Sequence, residues 1–211
     1  MKPIVSIIMG SASDWKVMEK AANQLNEFKI PFEINALSAH RTPDEVEKFA
    51  REAAPRGIKV IIAGAGMAAH LCGVIAAVTP IPVIGVPINA SFDGMDALLA
   101  IVQMPPGIPV ATVAVNGAQN AAILAAQMLA TGDTEIAQKL VEFKENLKQK
   151  ILEGDAALSP FKMDDLTACT YCPYSESCGF DRRLPGCTFR TLEKTDRNEI
   201  WKQMEDEVHG S

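Results

Sequence analysis

Short apolar runs alternate with longer amphipathic stretches over about the first 152 residues, and this alternation strongly constrains the fold. The run "IVSIIM" has the length of a buried strand, whereas "DWKVMEKAANQLNEF" repeats its apolar residues at helical intervals. The run "KVIIAGA" is apolar throughout, as in parallel strands buried on both faces. Strands that alternate with helices predict a doubly wound parallel α/β sheet of about five strands.

The same patterns predict where each element lies. We expect strands at residues 4–9, 31–37, 59–65, 82–88 and 109–115. We expect helices at residues 14–28, 42–55, 68–78, 95–104, 117–130 and 134–153. Thr42 is expected to cap the second helix, with Pro43 at its first position.

Two of the predicted helices bear on assembly. The helix "GAQNAAILAAQMLA" is rich in alanine and has little polar surface, so we expect it to lie inside an oligomer. The last helix, which begins after Asp133, is more polar. For that helix, packing on a partner subunit and a solvated terminal position remain equally open.

The composition is typical of a soluble globular protein. Apolar residues make up 48% of the 211 residues and charged residues 22%, and the formal net charge of −6 disfavours generic nucleic-acid binding. The longest apolar stretches are broken by Gly and Pro and fall short of the ~20 residues that a membrane span needs. The first residues lack the features of a signal peptide. We therefore expect a cytoplasmic protein without a membrane partner.

The pattern changes near Gly154, where "GDAALSPFKMDD" introduces Gly, Pro and acidic residues. We expect one domain over residues 1–153 and a cysteine-rich extension over residues 154–211. Four of the five cysteines lie in the extension: Cys169, Cys172, Cys178 and Cys187. In a reducing compartment such a cluster indicates metal or redox chemistry before disulfides.

The loop after the first predicted strand, "GSASD", is suited to hold an anion. Gly10 lets the backbone approach a ligand, Ser11 and Ser13 add hydroxyl donors, and the amides that begin the next helix point at the loop. Asp14 is unsuited to a phosphate but can accept hydrogen bonds from ribose hydroxyls. Considered alone, this loop is more simply explained by Ser13 or Asp14 capping the helix.

A second loop, "SAHRTP", also follows a predicted strand. It contains Ser38, His40 and Arg41. An arginine can grip a phosphate through two parallel hydrogen bonds, and an imidazole can move a proton near neutral pH. The loop therefore has the groups needed for both binding and proton transfer.

A third loop, "GAGMAAHLCG", brings Gly64, Ala65, Gly66, His70 and Leu71 to the end of another strand. For His70 a structural and a functional role are equally open. Ligands of parallel α/β sheets collect at the carboxyl ends of the strands. The coincidence of three such loops predicts a binding site there.

Five stretches of the chain occur together in the order and spacing of one known family. They are "MGSASDW", "SAHRTP", "GAGMAAHL", "PVIGVP" and "IVQMPPGIPVATVAVNGAQNAAILAAQMLA". From residue 3 to about 150 the chain resembles the N5-carboxyaminoimidazole ribonucleotide mutases of purine biosynthesis. The resemblance implies a three-layer flavodoxin-like domain, a homo-octamer, a small ribonucleotide substrate, and no metal or organic cofactor.

The resemblance also implies the reaction, in which a carboxylate moves from the exocyclic nitrogen of the aminoimidazole to a ring carbon. Ser11, Asp14 and Arg41 would hold the ribose phosphate, and His40 would be the general acid and base. Transient carbon dioxide would be enclosed by the small-residue loop, with His70 near the carboxylate or holding the loop. The other expected substrate-binding residues are Gly10, Ser13, Ser38, Gly64, Ala65, Gly66 and Leu71.

The chain departs from the family at two positions of the carbon dioxide loop. The family usually has glycine where this chain has Met67 and proline where it has Cys72. We expect Cys72 to be a small buried side chain and not a reactive thiol. Residues 91–93 also vary, and we expect them to be able to close over the substrate.

The cysteines of the extension have the spacing C-x2-C-x5-C, followed by Cys187, which suits zinc or an iron–sulfur cluster. Residues 158–195 resemble the C-terminus of the B subunit of bacterial ATP-dependent helicase/nucleases, in which a distant fourth cysteine completes a [4Fe–4S] cluster. That cysteine and the nuclease motifs are missing here, so no nuclease activity is implied. A [4Fe–4S] cluster, zinc and free thiols remain open, as does an artificial or accidental fusion.

Two alternatives to the mutase remain at this point. One is the related carboxylase, which adds free carbon dioxide to aminoimidazole ribonucleotide with the same loops. The other is a non-catalytic nucleotide-binding module with a metal or redox tail. The presence of both His40 and Arg41 argues against lost activity.

Overall fold

Five parallel strands form the central sheet in the computed structural model, which describes residues 2–152, 161–163, 166–167 and 190–191, with side chains up to residue 149. The strands are β1 (Val5–Met9), β2 (Phe32–Ala36), β3 (Val60–Gly66), β4 (Val83–Ile88) and β5 (Ala111–Thr112). Their order is β2-β1-β3-β4-β5, and every pair is parallel. The predicted doubly wound sheet is confirmed, and its strand order is the flavodoxin-like one.

Within the described residues, six α-helices connect and follow the strands. They are α1 (Trp15–Glu27), α2 (Pro43–Arg56), α3 (Leu71–Val78), α4 (Met95–Val102), α5 (Ala118–Ala130) and α6 (Thr134–Leu152). The prediction that α3 starts at residue 68 is wrong, because the chain first makes a tight turn at Met67. Within this turn the amide of Ala69 donates to the carbonyl of Met67 over 2.8 Å.

The core lies in two layers, one on each face of the sheet. Ile7 and Ile62 pack with α1, α5 and the first half of α6, whereas Ile8 and Ile61 pack with α2, α3 and α4. Neighbouring residues of a strand point to opposite faces, so a continuous apolar run serves both layers. This burial holds the strand ends, and the loops that follow them, in fixed positions.

The alanine-rich helix α5 is buried within its own subunit. Five of its alanines, together with Leu129, pack in the layer that contains α1: Ala118, Ala121, Ala122, Ala125 and Ala126. Small side chains let α5 and α1 approach closely. Packing within the chain therefore explains the low polarity of this helix, and its place inside an oligomer remains a prediction.

Strand β5 is shorter than the predicted residues 109–115. Ala111 and Thr112 pair with Ile84 and Gly85 of β4. Two residues further along β4 lies Pro87, which has no N–H to donate to β5. Only two residues of β5 are therefore in regular pairing.

Thr42 occupies the position before α2, but its side chain makes no capping hydrogen bond to the helix. Its hydroxyl donates to the carbonyl of Ser38 and accepts from the amide of the same residue, both over 3.0 Å. The predicted capping role was therefore wrong. The hydroxyl closes the loop between residues 38 and 42 instead.

Backbone contacts divide the chain into Met1–Lys144 and Glu145–Ser211, a division that falls within α6. In the second unit the described backbone includes β6 (Phe161–Met163), β7 (Leu166–Thr167) and β8 (Arg190–Thr191), in the order β7-β6-β8. The predicted domain boundary near Gly154 remains a prediction, and the four cysteines of the extension lie outside the described residues. In the described part of the chain, no helix combines the length and the apolar character needed to cross a membrane.

Candidate active site

A cavity of about 460 Å³ lies where the loops after β1, β2 and β3 meet. Strand order reverses between β1 and β3, so the chain leaves the sheet in opposite directions there and opens a crevice. Predicted site residues that line the cavity are Gly10, Ser11, Ser13, Asp14, Ser38, His40, Arg41, Ala65, Gly66 and Leu71. The fold thus brings the three polar loops to one place.

The cavity differs in detail from the set of residues predicted from sequence. Ala39, Met67, Ala68 and Ala90 also line it. Ala90 follows the end of β4, and this position is the only signal that could have found it. Gly64 is not among the residues that line the cavity. It packs against α1 instead, where a β-carbon would overlap the sulfur of Met18.

The first loop is held by reciprocal hydrogen bonds. The amide of Ser11 donates to the Asp14 carboxylate over 3.0 Å, and the Ser11 hydroxyl accepts from the amide of Ser13 over 3.3 Å. This capping box closes a short 3-10 helix, Ala12–Asp14, at the edge of the cavity. Burial raises the pKa of Asp14, although hydrogen bonds from Ser11 and Ser13 oppose the shift. Asp14 therefore has a capping role and a place in the cavity wall.

Arg41 reaches across from the second loop to the first. Its guanidinium donates to the Gly10 carbonyl and to the Ser38 hydroxyl, each over 3.4 Å. These bonds are long and exposed, so an anion in the cavity can replace them at little cost. The arginine is thus held near the loop that was predicted to bind a phosphate.

His40 and His70 are hydrogen-bonded to each other. The His40 Nε2 atom lies 2.9 Å from the His70 Nδ1 atom, and the rings are close to perpendicular, at 76°. His40 lines the cavity, whereas His70 contacts it through His40. The sequence placed the two residues in separate loops, and only the fold shows that they touch.

The third loop is tightly packed. A β-carbon at Gly66 would lie 3.1 Å from the Ala90 side chain and from the Ile88 carbonyl, so this position has no room for a larger residue. Met67 has a left-handed backbone, with φ of 55°, and a 60% exposed side chain in the cavity wall. Its side chain is therefore the largest that this loop places at the cavity.

Cys72 lies behind the third loop and is fully buried. Its thiol donates to the Ala63 carbonyl over 3.3 Å, and burial raises the pKa of the thiol to about 12. A thiol with such a pKa stays protonated at neutral pH and is a poor nucleophile. The prediction of a buried cysteine is confirmed.

The loop after β4 has unusual backbone geometry. Phe92 and Asp93 have positive φ angles of 45° and 52°, and the Phe92 side chain is 82% exposed. The loop is supported by the segment between β5 and α5, since the Asn116 side chain accepts a hydrogen bond from the amide of Asn89. That residues 91–93 close over a substrate remains a prediction.

Three or more His, Cys, Asp or Glu side chains do not cluster as a metal site anywhere in the part of the chain that the structure describes. The cysteines of the extension fall outside that part, so their metal content remains a prediction.

The family model described as AIR carboxylase matches residues 4–150, which include the whole cavity wall. This chain belongs to the AIR carboxylase family. The N5-carboxyaminoimidazole ribonucleotide mutase of Mycobacterium leprae is 52% identical over 162 residues, 76% of this chain and 95% of that protein. The predicted family is therefore confirmed over residues 4–150, whereas the match does not extend to the four cysteines of the extension, whose resemblance to the helicase/nuclease subunit is not shown.

Two further family members are informative. Phosphoribosylaminoimidazole carboxylase of Schizosaccharomyces pombe is 56% identical over 152 residues, which are 72% of this chain but 28% of that protein. The crystal structure of Treponema denticola PurE superposes with a TM-score of 0.67 at 36% identity, covering 74% of this chain and 98% of that chain. Sequence identity thus supports the family membership of this chain, and the structural superposition supports its fold.

Proposed function

We propose that the chain is an N5-carboxyaminoimidazole ribonucleotide mutase of purine biosynthesis, which forms 4-carboxyaminoimidazole ribonucleotide. The observation that carries the proposal is the cavity in which His40, Arg41 and the Ser11–Asp14 loop meet. The 52% identity to the Mycobacterium leprae mutase, over 95% of that protein, supports the same reaction.

Binding of the ribotide follows from the groups in the wall. The amide and hydroxyl donors of Ser11 and Ser13, with the Arg41 guanidinium, suit the phosphate. One oxygen of the Asp14 carboxylate accepts from the Ser11 amide, and the carboxylate can also accept hydrogen bonds from the ribose. The heterocycle then lies toward His40 and the third loop.

His40 moves one proton in both directions. Protonated His40 gives a proton to the carbamate nitrogen as the nitrogen–carbon bond breaks, and carbon dioxide leaves. The ring carbon then attacks carbon dioxide, and neutral His40 takes the proton from that carbon. The imidazole ends in its starting state, so the reaction needs no other acid or base.

Carbon dioxide must stay in the cavity between the two steps. The wall beside His40 consists of Ala65, Gly66, Met67 and Ala68, whose backbone lies close to the cavity. Small side chains let backbone amides approach the carboxylate, and the larger Met67 narrows the opening. This arrangement suits a reaction that must keep carbon dioxide in place between its two steps.

A paired-substrate assay tests the proposal. Without added bicarbonate, the protein should convert the N5-carboxy ribotide to the C4-carboxy ribotide faster than the substrate decarboxylates. Conversion of aminoimidazole ribonucleotide with carbon dioxide alone would favour the carboxylase, the activity named for the Schizosaccharomyces pombe relative.

The variant His40→Asn separates catalysis from binding. It should still bind the product ribotide but lose turnover by about 10²-fold or more, because general acid–base catalysis is worth ~10²–10⁴. An unchanged turnover would exclude His40 as the proton carrier. A wild-type chain that binds the ribotide without turnover would instead be the non-catalytic module.

Three finer proposals accompany the function. We place the enzyme in the cytoplasm, as an octamer of identical chains. For the extension we propose a metal centre on Cys169, Cys172, Cys178 and Cys187, either [4Fe–4S] or zinc. The support for this centre is the cysteine spacing alone.

A further inference from the structure

The contact between His40 and His70 restricts where the catalytic proton can reside. At 2.9 Å, the His40 Nε2 and His70 Nδ1 atoms hold one hydrogen between them, so one ring donates and the other accepts. Each neutral imidazole carries a single hydrogen. If neutral His40 donates from Nε2, its Nδ1 atom carries the lone pair. If His70 donates instead, Nε2 of His40 accepts and its Nδ1 atom carries the hydrogen.

The surroundings favour His70 as the acceptor. His70 is the residue before α3, and its carbonyl accepts from the amide of Val74 over 3.0 Å, which fixes it at the start of that helix. The N-terminus of a helix carries partial positive charge and disfavours a second positive charge beside it. The other charged groups of the cavity wall are Asp14 and Arg41, and Arg41 is the neighbour of His40 in the chain.

Resting on the mutase function proposed above, we propose that His70 is a positioning residue that accepts the Nε2 hydrogen of His40 and leaves Nδ1 of His40 as the proton-carrying nitrogen. The hydrogen on Nε2 stays in this bond through both steps. The Nδ1 proton goes to the carbamate nitrogen as carbon dioxide leaves, and Nδ1 later takes the proton from the ring carbon. The proton count is the same before and after the reaction.

Two substitutions distinguish this role from a direct contact between His70 and the substrate. In His70→Asn the side-chain oxygen lies near the position of Nδ1 and can still accept from His40. In His70→Gln the amide group lies near the position of Nε2, so the contact to His40 is lost while a contact to a carboxylate can persist. Thermal melting of both variants checks that each one is folded.

We expect His70→Gln to lose about 10–100-fold in kcat with KM changed by less than about threefold, as for other groups that orient a functional histidine. His70→Asn should retain kcat within about fivefold of wild type. Full activity in both variants would overturn the proposal. So would a His70→Gln variant that keeps the wild-type kcat while His70→Asn has a raised KM, because that result would show a direct contact between His70 and the substrate.

A spectroscopic measurement tests the pairing without turnover. The chain has three histidines, so ¹⁵N-histidine NMR of the full chain gives few signals, and His209→Gln removes the third. Neutral His40 should carry its hydrogen on Nε2 in wild type and in His70→Asn, but not uniformly in His70→Gln. A wild-type His40 with hydrogen on Nδ1 would refute the pairing. An Nε2 hydrogen in a chain without mutase activity would support the pairing and overturn the proposed function.

Discussion

Met67 is held in a left-handed backbone conformation at the wall of the cavity, with φ of 55°. Outside glycine this conformation costs roughly 1 kcal/mol, and such residues cluster at functional sites. Glycine would remove the cost. The chain thus carries this cost at a position that lines the cavity.

The substitution Met67→Gly should separate these two effects. It should raise the free energy of unfolding by up to about 1 kcal/mol, because the strain is relieved. It should also release more aminoimidazole ribonucleotide per turnover, because carbon dioxide escapes from a wider opening. Urea unfolding and the ratio of the two products measure the effects.

Met67→Ala is the matched control for this position. It keeps the strained backbone but removes most of the side chain, so it should leak carbon dioxide without any gain in stability. An unchanged product ratio in both variants would show that Met67 does not retain the gas.

At the scale of elements, one polar cluster ties β2 to β1 and α2. The Glu33 carboxylate accepts two hydrogen bonds from Arg56, over 2.7 and 2.9 Å, and others from Ser6 and Asn35. Burial opposes ionisation of Glu33, but these hydrogen bonds and the Arg56 charge outweigh it and lower its pKa. The lowered pKa means that the folded state prefers the charged form.

Glu33→Gln should lower the free energy of unfolding by about 1 kcal/mol at pH 7, a value limited by the exposure of Arg56 to solvent. A lowered pKa gives stability that is present above the ordinary value of 4.5 and lost as pH falls through the folded-state value. The difference from wild type should therefore disappear in acid. Urea unfolding followed from pH 7 down into the acid range below the ordinary value of 4.5 measures this difference.

The exposed pair Arg51–Glu47 on α2 provides the control for the cluster. Glu47→Gln should change the free energy of unfolding by less than about 0.5 kcal/mol, because the pair is solvated. Equal effects of the two substitutions would contradict the role given to the Glu33 cluster.

At the scale of the whole molecule, one apolar face is left uncovered by the described chain. Met95, Leu99 and Val102 follow one another along α4 at helical spacing, and each is about half exposed. Phe92, in the loop before α4, is 82% exposed. Apolar rows of this kind mark contacts between proteins, which supports α4 as one contact surface of the proposed octamer.

Leu99→Glu should therefore reduce the assembly to smaller species, because a buried unpaired charge opposes association. Light scattering of the wild type should give a mass of eight chains. Leu99→Met conserves volume and apolar character and should leave the mass unchanged. An octamer that persists in Leu99→Glu would place the contacts elsewhere.

The metal content of the cysteine-rich extension can be tested separately. If its cysteines hold an iron–sulfur cluster, anaerobically purified wild type should absorb at about 400 nm, and the double variant Cys169→Ser, Cys172→Ser should not. Mutase turnover should stay within about twofold, because the described residues that line the cavity all lie between Gly10 and Ala90. Zinc would instead give a colourless protein with bound metal. A colourless, metal-free wild type would exclude both centres.

The sequence alone determined the alternation of strands and helices, and with it the parallel sheet and the meeting of the loops that carry Ser11, His40 and Gly66. These features depend on local periodicity and on residues at strand ends, which a chain shows without knowledge of its fold. The motifs of those loops also identified the family.

Only the tertiary structure decided what depends on contacts between distant residues. The bond from His40 to His70 spans two loops, β5 is shortened by a proline on its neighbour, and α5 is covered by α1. A local pattern records the polarity of a residue but not its partner. For that reason His40 could be proposed as the catalytic residue from sequence, whereas its contact with His70 could not be predicted.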